Sequence, residues 1–202
     1  ADKAPDIFAS YVDTAYAIDA MGMVADLNEY LTEEERDEYI PAYIYEGQFD
    51  ENNSLKLFPI AKATEVMILN KTDWDKFAAA TGASKDSLST WEGIADTAKR
   101  YYEWTDSLTP EPDDGKPFFG RDAMANYMIV GCYQLGRELF QIENGKVTVN
   151  LDKSVIRRLW DNYYVPYVSG HYAAIGRFRS DDVKTGDIIA FVGSTSGASF
   201  FP

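Results

Sequence analysis

The sequence predicts an α/β chain whose strands run mostly parallel. Short apolar runs alternate with longer stretches of helical periodicity along the whole length, the pattern of strand–helix crossovers. Two of those runs, Glu65-Val66-Met67-Ile68-Leu69 and Asp187-Ile188-Ile189-Ala190-Phe191-Val192, are continuously apolar after their first residue. Strands buried on both faces read this way.

Taken in order, Asp6-Ile7-Phe8 reads as the tail of a strand. A helix follows, capped by Asp13 or Thr14, presenting Tyr16, Ile18 and Met21 to a core and breaking at Gly22. Thr32-Glu33-Glu34-Glu35 has capping-box spacing, with Thr32 as cap and Glu35 reaching back. The helix it opens heads toward Gly47 but meets Pro41, so it is short or kinked. Leu55-Lys56-Leu57-Phe58 alternates as a strand and stops at Pro59. After the Glu65–Leu69 run, a helix starts at Thr72 or Asp73, and another at Ser89 or Thr90 that buries Trp91, Ile94, Ala95 and Ala98. Pro110 to Pro117 is a loop-rich tract with apolar periodicity resuming at once, hence an exposed loop inside a domain. Asp122 caps a helix through Leu135 that ends at Gly136, and Glu138 to Leu151 forms a hairpin around Asn144-Gly145. Asp152 opens a helix carrying Val155, Ile156, Leu159, Trp160 and Tyr163, and the late apolar run feeds Gly193-Ser194-Thr195-Ser196-Gly197.

Composition narrows the functional classes. The 202 residues hold 19 Lys and Arg against 33 Asp and Glu, a net charge of −14. A nucleic acid or an anionic membrane must be met by clustered cations, so neither is a partner. No apolar run reaches the roughly 20 residues that span a bilayer. One cysteine, Cys132, builds neither an internal disulfide nor a zinc site. The 14 Tyr, 11 Phe and 4 Trp exceed what a small core requires. The start at Ala1, with no signal-like segment, reads as an excised piece.

No catalytic set assembles. His171 is the only histidine and follows Gly170 in a turn, which reads as a surface or capping residue. Cys132 shares an inner helix face with Ile129 and Val130 as a buried structural thiol. Carboxylates are plentiful, but Glu33, Glu34, Glu35, Asp181 and Asp182 read as solvated helix starts. Asp50-Glu51-Asn52-Asn53 lacks the period of a calcium loop, and the Gly193–Gly197 loop lacks a Walker lysine. No metal and no cofactor is expected. Ligands of open α/β sheets sit beyond the carboxyl ends of strands, where Ser194, Thr195 and Ser196 supply neutral hydroxyls. Tyr11 and Asp13 offer a ring and a carboxylate after the first strand, a pairing that suits a sugar, although spacing alone leans toward Tyr11 merely packing and Asp13 merely capping.

Four places carry a resemblance. They are Asp6-Ile7-Phe8 followed by Tyr11-Val12-Asp13-Thr14-Ala15, then Phe58-Pro59-Ile60-Ala61 on through Glu65 to Leu69-Asn70-Lys71, then Thr90-Trp91-Glu92, and finally Gly186 to Phe191 leading into Gly193-Ser194-Thr195-Ser196. In this order the chain resembles an internal part of the extracellular solute-binding proteins of ABC importers, in the sugar-binding, maltose-binding-protein-like family. The resemblance implies a periplasmic-binding-protein type II-like fold. Residues 1–59 would be an incomplete first lobe and residues 60–202 most of the second. Carried over by position, Tyr11 and Asp13 face an inter-lobe cleft from the first lobe. Thr64 and Glu65 lie just past the crossing, where Ala63 takes the usual contact position. Asp122 and Asn126 start a helix facing the cleft, and Ser194, Thr195 and Ser196 form the late loop, without the stacking tryptophan found there in the family's namesake.

The function so implied is that of a non-enzymatic substrate-binding component that captures a carbohydrate, an oligosaccharide or related polyol, for import through ABC permease subunits. Its place is extracytoplasmic, either periplasmic or lipid-anchored to the outer face of the membrane. Two alternatives remain: a glycoside-active enzyme domain, for the abundant carboxylates beside aromatics, and a lectin-like module. Strands left uncovered by excision are expected to promote self-association.

Overall fold

Caps and apolar runs set where the elements begin. The computed structural model describes residues 5–50, 52–143 and 146–200, in two units, Ala1–Lys62 and Ala63–Pro202.

The first unit is built from short helices. Helix α1 spans Val12–Asp19, α2 Glu33–Asp37 and α3 Pro41–Tyr45, with a 3-10 turn at Leu27–Glu29. The capping box forms as its spacing requires. Thr32 Oγ1 accepts from the Glu35 N–H at 3.2 Å, and Glu35 Oε2 accepts from the Thr32 N–H at 2.9 Å. That Thr32 N–H, together with the Thr32 hydroxyl donating to the same carboxylate oxygen at 2.9 Å, holds the Glu35 carboxyl below its ordinary pKa. Pro41 then starts α3 at its first turn, so the predicted interruption is two separate helices. Three expectations are corrected here. Asp6-Ile7-Phe8 forms no strand, with Ile7 and Phe8 exposed and no described segment paired to it. Helix α1 buries Ala15, while Tyr16 and Met21 face solvent. Residues 55–58 make only an isolated bridge, Gln48 to Leu55, because the Gly47 carbonyl takes the N–H groups of both Lys56 and Leu57.

The second unit holds a three-stranded sheet. Strand β1 is Glu65–Leu69, β2 is Phe119–Arg121 and β5 is Ala190–Ser194, in the order β1-β5-β2. The pairing of β2 with β5 is parallel, but β1 runs antiparallel to β5. The sheet is therefore mixed, and β1 is a half-buried edge strand rather than one covered on both faces. The late run keeps the predicted burial because β5 is central. Strands β3 (Phe140–Glu143) and β4 (Lys146–Val149) form the expected hairpin; its Asn144-Gly145 turn lies outside the described residues.

The helices are α4 (Lys71–Thr81), α5 (Trp91–Asp106), α6 (Met124–Gln134), α7 (Lys153–Val168) and α8 (Arg179–Thr185). Helix α4 starts one residue early, on Asn70, whose side chain accepts from the N–H groups of Thr72 and Asp73. It ends at Gly82, where φ is +70° and a side chain would be strained. Thr90 caps α5, since the Ser89 hydroxyl instead donates to the Asp86 carbonyl. Asp152 caps α7 as predicted. Bonds from Ser154 first, then Val155 and Arg137, hold its carboxyl at about 2. Trp160 on this helix is exposed, not buried.

The face of the sheet under α4 and α5 packs on Trp74, Phe77, Tyr101, Phe118, Phe119 and Tyr172. Their rings meet mostly edge-on or tilted, such as Phe77 against Tyr101 with centroids 5.3 Å apart. A substantial part of the ring surplus thus forms this core, where each fully buried side chain contributes about 1.5–3 kcal/mol. Tyr127, Cys132 and Leu159 make a second cluster between α6 and α7. The helices touch there because Gly131 lacks a side chain; a Cβ would lie 2.5 Å from Leu159. Burial, then the Asp152 charge, raises the Cys132 thiol pKa, in keeping with an inert buried thiol. Ile129 and Val130 point outward instead of sharing its face.

Candidate functional site

Strand register collects the polar groups of the second unit at one end of the sheet. Glu65, first in β1, lies opposite Ser194, last in β5, and Arg121, last in β2, lies opposite Val192. Beyond these ends the chain stays together. The Thr195 N–H donates to the Thr64 carbonyl at 2.8 Å, and the Asp122 N–H donates to Val192 at 3.1 Å. The Ser194 and Ser196 hydroxyls are 2.9 Å apart. Seven of the nine residues singled out from the sequence (Thr64, Glu65, Asp122, Asn126, Ser194, Thr195 and Ser196) are therefore brought together.

Glu65 stands at the centre of the polar contacts. One carboxylate oxygen accepts from Arg121 Nη2, the other from Asn126 Nδ2 at 3.0 Å. The Arg121 side chain is only 2% exposed, against 24% for Glu65. Its guanidinium lies 5.4 Å from the Trp91 ring centroid and 5.5 Å from that of Tyr127. Two aromatic faces and one carboxylate thus replace water around a buried charge. Burial raises the Tyr127 hydroxyl pKa well above its ordinary value despite this cation. Arg121 was not found from the sequence. Phe118-Phe119-Gly120-Arg121 is a short apolar run closing on a cation, too brief for periodicity to register as a strand.

Asp122 does not cap α6. Ala123 takes a left-handed conformation, φ 50°, at the cap position and makes no side-chain bond. The Asp122 carboxylate turns instead to Arg179, accepting its backbone N–H at 3.2 Å with Nε at 3.5 Å. Asp182, expected at a solvated helix start, is 2% exposed. It accepts the N–H groups of Ile175 and Gly176, and Arg179 Nη1 lies 2.5 Å away as an ion pair without hydrogen-bond alignment. This second buried arginine fixes the loop before α8 against the end of β2. Charged pairs so deep in the fold carried no periodic signal.

Tyr11 and Asp13 belong to the first unit, where Tyr11 is 85% exposed at the start of α1. Asp13 lies inside the first turn and accepts the Thr14 N–H at 2.8 Å instead of capping. Elsewhere in the second unit, a pocket of about 350 Å³ is walled by Met67, Trp91, Leu135 and Leu159, with Glu92 at its mouth bonded to Arg158 and Asn162. None of the nine residues lines it. His171 is half-buried against Tyr102, its ring 5.3 Å away. Among the described residues no group of acids, histidines and cysteines is placed to hold a metal. No helix among them is long and apolar enough to cross a membrane.

The assembled end of the sheet offers hydroxyls, carboxylate oxygens and an amide. It can receive a ligand rich in hydrogen-bond donors. A family model described as bacterial extracellular solute-binding protein matches residues 1–200. No curated protein matches the chain.

Proposed function

From the premise that this chain belongs to the bacterial extracellular solute-binding proteins, we propose that its solute is a carbohydrate, either an oligosaccharide or a related polyol. Membership makes it the substrate-binding component of an ABC transporter, with permease partners and an extracytoplasmic place of work. The family is generally non-enzymatic.

The observation that carries the carbohydrate reading is the convergence of Thr64, Glu65, Asp122, Asn126, Ser194, Thr195 and Ser196 at one end of the sheet. A polyhydroxy solute matches such a set, because each of its hydroxyls both donates and accepts. In the first unit, the exposed ring of Tyr11 and the carboxylate of Asp13 are the groups that would stack on and bond a pyranose. A glycosidase reading draws less support, since Glu65 and Asp122 are each held by an arginine. A lectin-like surface is favoured by one observation, the exposed stacked pair Trp160 and Tyr164 with centroids 4.3 Å apart.

The test is a thermal-shift panel of neutral oligosaccharides, polyols, sugar phosphates and amino acids. A shift with a neutral sugar that Thr195→Ala and Asn126→Ala weaken about tenfold, the effect of roughly 1.4 kcal/mol, supports the reading. Shifts confined to amino acids or sugar phosphates refute it. Loss of sugar binding in Trp160→Ala alone would favour the lectin-like surface.

A further inference from the structure

We propose that Glu65 is a built-in occupant of a carboxylate-binding site centred on Arg121, and that this self-occupancy turns the site toward neutral solutes and away from acids. The second half rests on the carbohydrate reading above; the first does not.

A guanidinium with 2% of its side chain exposed needs an anion, since an unpaired buried charge is strongly destabilising. Trp91 and Tyr127 supply two faces but no negative charge. Glu65 supplies the charge, from a different strand and through one oxygen, while its second oxygen is drawn to Asn126. The pairing leaves Arg121 unsaturated, because Nε is buried without a hydrogen-bond partner. An arginine fork is shaped for a bidentate carboxylate, and Glu65 fills that role with a single bond. A free acid of the right size would make the same charge-assisted contact. It is kept out because Glu65 already holds the position, and a second carboxylate beside it would meet like-charge repulsion. A neutral hydroxyl meets no such repulsion and can bond the exposed part of Glu65. Glu65 and Arg121 are thus specificity determinants acting as a pair, Arg121 by positioning and Glu65 by both filling the site and facing the solute.

The decisive experiment empties the site. Glu65→Ala in the whole chain is expected to lower the melting temperature of the second unit by about 5–10 °C in sodium chloride. Sodium acetate at equal ionic strength should restore at least half of that loss. The double variant Glu65→Ala/Arg121→Met should show no acetate-specific recovery, which separates the site from general salt effects. If Glu65→Ala folds only when refolded in acetate, the outcome is the same. Refolding in neither salt, or equal stability in both, overturns the proposal. For selectivity, a neutral sugar and its uronic acid are titrated as a matched pair. The native chain should favour the neutral member at least tenfold, and Glu65→Ala should lose or reverse that preference. A preference unchanged in the variant refutes the selectivity half. If the native chain binds neither sugar, the carbohydrate reading fails while the acetate result still decides the role of Arg121.

Discussion

The two units differ in what holds them. Among the described residues, only Ala15, Ile44 and Leu55 are buried apolar side chains of the first unit, whereas the second buries Trp74, Phe77, Tyr101, Phe118, Phe119, Tyr127 and Tyr172 besides its central strand. The first unit relies on local polar devices. Its capping box joins Thr32 to Glu35, Asp26 accepts the backbone N–H groups of Asn28 and Leu55, and Asp50 accepts those of Asn52 and Ser54. Such bonds shape a chain, but each adds only about 0.5–1.5 kcal/mol net, against a conformational entropy cost near 1–2 kcal/mol per residue. Tyr16, Met21, Tyr30 and Tyr45 remain exposed there. Local order and stability are therefore separable, and this chain shows one unit rich in the first and one rich in both.

The largest effect is expected on dividing the chain. Residues 63–202 produced alone should unfold in a single cooperative thermal transition, while residues 1–62 alone should lose circular dichroism gradually with none. A cooperative melt of residues 1–62 would break the comparison. Single side chains sharpen it. Phe77→Ala removes a fully buried ring from the second unit's core and should cost about 3–5 kcal/mol in denaturant unfolding. Leu55 is just as buried, but it belongs to none of the hydrophobic clusters among the described residues. Leu55→Ala should leave the main transition within about 0.5 kcal/mol and release only nearby amides in hydrogen exchange. An equal loss from both substitutions would mean that the units unfold as one.

The same contrast explains what was legible in the sequence. Devices that act over three or four residues could be read in both units: the box at Thr32, the cap at Asp152, the end at Gly136, the run that became β5. The first helix stops at Asp19, short of Gly22. Errors arose where burial was decided by distant segments. Helix α1 has apolar residues on more than one side, and the sequence did not say that Ala15 rather than Tyr16 would turn inward. Glu65–Leu69 looked fully covered because its residues are apolar, but the burial of a strand's faces depends on what distant segments pack over them. Strand β1 is half-buried along its length, while β2, also at an edge, is buried throughout. The site shows the same limit. Seven residues could be placed by motif order, whereas Arg121, Arg179 and buried Asp182 emerged only from three-dimensional pairing. Arginines and aspartates are ordinarily surface residues, so composition argued against their burial.

Caps extend the comparison to smaller energies. Asn70 caps a helix that is packed through Trp74 and Phe77, so Asn70→Ala should cost about 1 kcal/mol of global stability. Thr32 caps a five-residue helix with no buried residue. Thr32→Ala should unravel α2 locally, visible as faster exchange at Glu35, with the main transition unmoved. Equal global costs would show that α2 is coupled to the core more tightly than its packing allows.

The smallest effect separates the units by pH. His171 belongs to the second unit, its backbone carbonyl accepting from Phe118 at 2.8 Å and its ring lying against Tyr102. Burial lowers its pKa, partly countered by Glu103, with Lys99 adding a further lowering push. A histidine whose folded pKa is depressed binds its proton more readily when unfolded. Its stabilising contribution is therefore full above the unfolded value near 6.5 and lost as pH falls below it toward the folded value. The first unit contains no histidine, since His171 is the only one in the chain. Denaturant melts of the second unit between pH 5 and pH 7.5 should show a decline on acidification that His171→Gln flattens. The capping-box carboxylate of Glu35, also depressed, loses its contribution only as pH falls below the ordinary carboxylate range. The protection factors at α2, that is, the intrinsic exchange rate at each pH divided by the observed one, should therefore stay constant across the same window. A pH response at α2 between 5 and 7.5, or none at His171, would remove the distinction.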